Sequence, residues 1–338
     1  MNLKIISKVI AKFFLVIIVF TNCSSQTNIP DKISGMLLYI EDLNDNGGSM
    51  DGDFSDIVAF DVDKKQQHII TSDVYYDDYP TYSKSSNRIY FESKRENYNW
   101  AVGLSAQSYL YYIDLKEKRI RSFSKEEKNN LDERFLENDL TCPSANPVKN
   151  EVLFMTKSFK DDFYYQLIDY DYALHEYKQL MDVITISFRL AWDEEGTKIA
   201  FLKNDTARTN SISIFDVNTN ELQKIVYRSS YRNELGDYKY DKLLYIEKMP
   251  VGNNNSRNLC VYDIGKKSGK ILGNVKTMGF EEIKTPVFKD ENTIFFIGCK
   301  DVGKDDFYED IYEMNLTTKE TTQITFTNNE KEHLRYYE

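Results

Sequence analysis

AWDEEGTKIAF, residues 191 to 201, reads as two short strands around a turn, and fifteen residues after Phe201 the segment SISIFDVNTNELQKIV carries Asp216. Arg189 to Asp193 is expected to form the first strand and Glu194 to Thr197 the turn, with Gly196 supplying a permissive backbone. Lys198 to Leu202 is the second strand and Ser211 to Asp216 the third. Val217 to Asn220 then turns the chain into a fourth, Leu222 to Val226. Short apolar runs rich in β-branched and aromatic residues, separated by Asp, Asn and Gly, are what half-buried strands and hairpin turns require. The stretch is therefore a four-stranded antiparallel meander.

The same pattern recurs along the chain. A third strand ending in a short polar residue appears as IVAFD at Asp61, YYID at Asp114, QLID at Asp169, SIFD at Asp216, CVYD at Asp263 and YEMN at Asn315. Each is preceded by a second strand beginning at Met36, Arg88, Glu151, Lys198, Lys242 or Thr293. A period of roughly fifty residues marks a repeat architecture in which no unit buries its apolar face alone. An Asp or Asn closing a strand accepts from backbone N–H groups two residues on, forming an Asx-turn into the fourth strand. Equivalent acids in every copy are thus read as structural.

The pattern Pro-x-aromatic-Ser-x-x-Gly-x-x-Ile-x-Phe, then Tyr-x-x-Asp, resembles the repeat of TolB-like six-bladed β-propellers. It is carried by Pro80, Tyr82, Ser83, Ile89 and Phe91; by Pro143, Val152 and Phe154; by Trp192, Gly196, Ile199 and Phe201; and by Pro286, Phe288, Ile294 and Phe296. The fifth copy departs, with no clean first strand before Lys242. The resemblance implies an all-β six-bladed β-propeller of four-stranded antiparallel blades. It implies little about activity, because propellers host unrelated functions.

The first copy lacks a first strand, whereas the sixth ends at Thr325 with thirteen residues to spare. Aligning Thr325 on Thr71 sets HLRY, His333 to Tyr336, over YPTY, Tyr79 to Tyr82. The C-terminal strand is therefore expected to complete the first blade and close the ring, removing an exposed sheet edge.

Residues 1 to 22 read as a signal peptide. Lys4, Lys8 and Lys12 precede the apolar run Phe13 to Phe20, and eight residues cannot span ~30 Å of hydrocarbon. The segment up to Cys23 resembles a bacterial lipoprotein signal, with Cys23 as the lipidated residue, residues 23 to 32 as a tether and 33 to 338 as the propeller. This implies a lipid-anchored protein of the cell envelope, in the periplasm or at the outer membrane. The whole chain has a formal net charge of −11, and removing 1 to 22 deletes three lysines and no acid. Such a surface repels nucleic-acid phosphates and anionic headgroups, so nucleic acid is not an expected partner.

Cys142, Cys260 and Cys299 show no metal-ligand spacing, and a Cys260–Cys299 bridge is open only if their Cα atoms approach within ~7 Å. His68, His175 and His333 are scattered, with no spacing for zinc or a triad. No catalytic residue is assigned.

Two loops exceed what the repeat needs. In EDLNDNGGSMDGDFSD, Glu41 to Asp56, the residues Asp42, Asn44, Asn46 and Asp53 fit the oxygen-ligand spacing of a Ca²⁺ loop, against the plainer reading of a solvated acidic hairpin. In SKRENYNWAVGLSAQS, Ser93 to Ser108, Tyr98 and Trp100 are candidate partner contacts, since an aromatic on a long loop can stack on a sugar or anchor a protein. Between blades two and three, Ser124 and Glu127 suggest a capping box opening a short exposed helix. Taken together, these features favour a binding or scaffold module for an envelope protein or glycan. The alternative is a carbohydrate-active enzyme, a glycoside hydrolase or lyase using two carboxylates at the channel mouth.

Overall fold

The structure is a computed structural model and describes residues 29–43, 55–73, 75–95, 108–127, 130, 140–157, 165–183, 189–206, 209–227, 232–251, 254–303 and 306–338. Its strands form six four-stranded antiparallel sheets, each running from an inner strand outward. Blade two comprises Asp77–Ser83, Arg88–Ser93, Tyr109–Asp114 and Arg119–Ser122, and blade three Leu140–Ala145, Glu151–Lys157, Tyr165–Asp171 and Glu176–Val183. Blade four comprises Leu190–Trp192, Lys198–Thr206, Thr209–Asp216 and Glu221–Tyr227; blade five, Arg232–Lys239, Lys242–Val251, Asn254–Asp263 and Ser268–Asn274. Blade six is Glu282–Asp290, Thr293–Gly303, Asp306–Asn315 and Thr321–Gln323.

Blade one is assembled from both ends of the chain. Lys331–Tyr337 is its inner strand and pairs antiparallel with Met36–Glu41, which is followed by Asp56–Asp61 and Gln66–Ile69. The equivalence of Thr71 and Thr325 holds atom by atom: the Ile57 N–H donates to Thr71 Oγ1 at 2.8 Å, and the Ile311 N–H to Thr325 Oγ1 at 2.9 Å.

Second strands are buried at nearly every position, which explains their unbroken apolar runs. Successive side chains point to opposite faces of a sheet, and each face of a blade meets a neighbour. Leu38 and Ile40 therefore join the core shared with blade two, while Leu37 and Tyr39 join the core shared with blade six. Six such clusters of buried residues lie between successive blades around the ring. Ile29, in the stretch read as a tether, is already packed into the core of blades one and two.

The strand-ending acids make the expected turns, with one correction. Oδ1 of Asp61, Asp114, Asp216, Asp263 and Asn315 accepts from backbone N–H groups two or three residues on. In blade three that role falls to Asp171, whose Oδ1 accepts from Ala173 N–H at 2.8 Å and Leu174 N–H at 3.1 Å. Asp169 instead lies opposite Leu153 within the sheet, where burial and the Glu151 charge push its carboxyl up to about 7. The next acid along continues the strand by two residues, so periodicity alone selects the wrong one.

Two further expectations are corrected. Blade five has a full inner strand, Arg232–Lys239; it reads poorly because its residues Glu234 and Asp237 face the channel rather than a core. Its Gly236 lets the strand pass Pro286, whose carbonyl oxygen would lie 2.3 Å from an added Cβ. The short helix spans Phe123–Glu127, so Ser124 falls inside it and not at its start, and Ser122 Oγ accepts from the Lys125 N–H at 3.4 Å. Nor is it simply exposed: Phe123 is buried against Phe154 and Tyr170, and Glu127 accepts from Tyr170 Oη and from Asn130 Nδ2 at 2.9 Å.

Candidate functional site: the two mouths of the central channel

The propeller has two unlike faces. One, here the turn face, carries the hairpins that join first to second and third to fourth strands, and all the Asx-turn acids are used there. At the opposite loop face the second strands end and the third strands begin, and there each inner strand starts. Six inner strands line the axis between them, and a cavity opens at each end: about 290 Å³ on the turn face and about 230 Å³ on the loop face.

Arg189 lines both cavities and forms the waist. Blade four has the shortest inner strand, and Arg189 occupies the place taken in other blades by a bulged residue. The equivalent residues Tyr79, Cys142, Thr285 and His333 all have positive φ, between 40° and 56°, and each sits at a register shift in its inner strand. A bulge re-aims a side chain and strengthens local twist. Tyr79, Thr285 and His333 thereby line the loop-face cavity with Arg189, while Cys142 is buried in the core of blades three and four.

On the loop-face side, Tyr79 and His333 lie ring to ring with centroids 4.0 Å apart, and His333 Nε2 is 3.0 Å from Asp78 Oδ1. Tyr76 Oη donates to Asp78 Oδ2 at 3.0 Å. Behind them Glu92 accepts from Thr141 Oγ1 and from the Cys142 N–H. Burial and the nearby Asp78 push the Glu92 carboxyl up to about 7. Burial and Glu92 in turn push the Cys142 thiol well up, so it is a proton-bearing, unreactive sulfur.

Around the rest of this mouth, carboxylates gather on a few cations. Lys284 lies 2.8 Å from Glu309, 3.7 Å from Glu332 and 3.8 Å from Glu330. Burial opposes its charge, but these three acids outweigh that and hold its pKa above the ordinary lysine value. Glu282 pairs with Arg257, and Glu234 with Lys248. Two exposed aromatics, Phe326 and Tyr308, stand on the same face, at 73% and 44% exposure. Neither was singled out in the sequence. Their signal was position alone, one in a blade-to-blade connection and one at the start of a third strand.

On the turn-face side the cavity is lined by Trp192, Tyr82, Tyr336, Arg335, Arg189 and Asp237, among others. Trp192 Nε1 donates to the Ser144 carbonyl at 3.2 Å, which explains the tryptophan as a tie between blades four and three.

The residues chosen from sequence are only partly placed. Cys23, Asn44, Asn46, Asp53, Tyr98 and Trp100 lie outside the described residues. Asp42 directly follows the second strand of blade one, and its N–H donates to the Glu330 carbonyl at 3.2 Å. Among the described residues no group of three or more His, Cys, Asp or Glu side chains is arranged to hold a metal ion, no disulfide forms, and no helix is long and apolar enough to cross a membrane.

No family profile matches the chain, and no curated protein matches it by sequence. Solved structures do match it in fold. TolB from Acinetobacter baumannii superposes with a TM-score of 0.64 at 14% identity, over 91% of this chain and 68% of that one. A structure from Agrobacterium tumefaciens described as TolB gives 0.58 at 8% identity, over 86% and 90%. An oligogalacturonate lyase in complex with manganese gives 0.54 at 12% identity, over 88% and 78%. At these identities the likeness establishes the fold, a TolB-like six-bladed β-propeller.

Proposed function

We propose that this TolB-like propeller is a binding or scaffold module of the bacterial cell envelope, tethered through a lipid on Cys23 and meeting a protein or glycan with its loop face. The observation that supports it is the asymmetry of the two faces. The strand-ending acids of the turn face are consumed in Asx-turns, whereas the loop face carries an ionic mouth and the exposed Phe326 and Tyr308. Exposed aromatics beside a rim of charges are the composition of an interface hot spot and its surround. The test is a pull-down of the mature protein against envelope proteins and a glycan panel, repeated with a Phe326→Ser, Tyr308→Ser variant. Capture that survives this change with undiminished yield refutes the assignment of the face.

A second reading, a carbohydrate-active enzyme, is favoured by one observation. Asp78 and Glu92 stand together beside His333, and a carboxyl near 7 is suited to general acid work at neutral pH. Its discriminating measurement is turnover of acidic and neutral oligosaccharides by wild type and by Asp78→Asn.

A further inference from the structure

We infer that the turn-face end of the channel is a binding site for a small, ring-bearing carboxylate, with Arg335 and Arg189 gripping the carboxylate group. The site does not depend on what occupies the loop face, so its failure leaves that reading standing.

Arg189 is buried, at 6% exposure, and among the described residues it donates to backbone carbonyls: Nε to Gly236 at 2.5 Å and an Nη to Leu334 at 2.7 Å. Arg335, on the closing strand, donates to the Leu190 carbonyl at 3.4 Å. Among the described residues neither guanidinium forms an ion pair with a carboxylate. A guanidinium has five N–H donors, so Arg189 keeps three beyond these bonds. Burial and the adjacent Arg335 charge push the Arg189 pKa down, and the Asp237 charge offsets this only in part; at neutral pH the guanidinium remains charged all the same.

The cavity also contains acids, each of which already accepts hydrogen bonds elsewhere, and of these Asp237 offsets part of the Arg189 charge. Asp237 Oδ1 accepts from the Tyr238 N–H and Oδ2 from the Phe288 N–H, both at 3.0 Å. Asp193 accepts from the N–H groups of Thr197 and Lys198, and Glu194 from that of Tyr240. Glu338 accepts from Tyr240 Oη. Buried charges are normally paired, and two guanidiniums facing one cavity present the forked donors that fit a carboxylate bidentately. The walls, Trp192 with Tyr82 and Tyr336, offer apolar ring faces, and about 290 Å³ suits one ring rather than a polymer.

The chemistry is shared by sugar acids and aromatic acids, so the titration uses glucuronate and benzoate, with glucose and inorganic phosphate as controls. Calorimetry on the mature protein is expected to give saturable, one-to-one binding of glucuronate, of benzoate or of both, and none of glucose; which acid binds identifies the source. Arg335→Met, which leaves the Arg189 bridges intact, is expected to weaken binding at least about tenfold, with Arg335→Lys in between. Arg189→Met removes ties to blades five and one and can fail to fold, so Arg335 carries the test. Absence of saturable carboxylate binding, binding of phosphate alone, or equal affinity in Arg335→Met would overturn the inference.

Discussion

Replacing Lys331 by Met tests how the ring is closed. Lys331 is the first residue of the closing strand and is completely buried, as is Glu41 opposite it. Its Nζ lies 3.3 Å from Glu41 and 3.8 Å from Asp310, and donates to the carbonyls of Glu309 and Asn329, both at 2.7 Å. At 3.3 Å and an effective dielectric constant of 20 the attraction to Glu41 is about 5 kcal/mol, most of it offset by the cost of taking both charges out of water. Removing one partner exposes that cost, and breaking a buried pair is worth about 3 to 5 kcal/mol. Methionine keeps most of the volume, so packing adds little. In a domain of this size ~1 kcal/mol moves the midpoint by ~2 to 4 °C, so Lys331→Met is expected to melt roughly 6 to 20 °C below wild type by scanning calorimetry. Adding Glu41→Gln removes the stranded charge and is expected to restore part of the loss, a coupling readable as a double-mutant cycle. A single variant within about 2 °C of wild type refutes the argument that this ion cluster locks blade six to blade one.

Deleting Glu332 to Glu338 strips most of the inner strand from blade one, and a midpoint drop of several degrees is expected in thermal melts. Glu92 carries a pH prediction. Its folded pKa of about 7 exceeds the ordinary 4.5, so the folded state holds a proton that the unfolded chain releases. The associated stability is present below pH ~4.5 and is lost as pH rises to ~7, amounting to ~3 kcal/mol. Glu92→Gln is thus expected to raise the midpoint at pH 8 and change little near pH 4.5; equal effects at both would contradict the buried acid. Cys23→Ser is expected to move the protein from the membrane pellet to the soluble fraction, since the apolar run before it is too short to anchor it. If the Glu41 to Asp56 loop holds calcium, titration gives weak binding, on the order of 10⁻⁴ to 10⁻³ M, that is lost in an Asp42→Ala, Asp53→Ala double variant, whereas no heat from either protein leaves a solvated hairpin.

The architecture was legible because a propeller repeats local structure. Each blade is a meander of neighbouring hairpins, so turn chemistry at Asp61, Asp114, Asp216, Asp263 and Asn315 and the apolar second strands recur at a period that can be read directly. Even ring closure was visible, because Thr71 and Thr325 do the same local job for Ile57 and Ile311. Legibility failed where a residue's environment is set by another blade. Asp169 and Asp171 are both acids on one strand, and only the hairpin geometry separates them. The inner strand of blade five looked irregular because it answers to the channel, not to a two-sided core. Lys331 reads as an ordinary surface lysine until blade six covers it.

By itself, then, the sequence determined the fold class, the blade order and the closing strand, all products of contacts close along the chain or of one end pairing with the other. Only the tertiary structure decided the channel. Arg189 and Arg335, 146 positions apart, become neighbours, and His333 meets Tyr79 and Asp78, because six inner strands converge on one axis. No periodicity records that convergence: it comes from closing six twisted sheets into a ring, which sets residues from different repeats side by side whatever their distance in the chain.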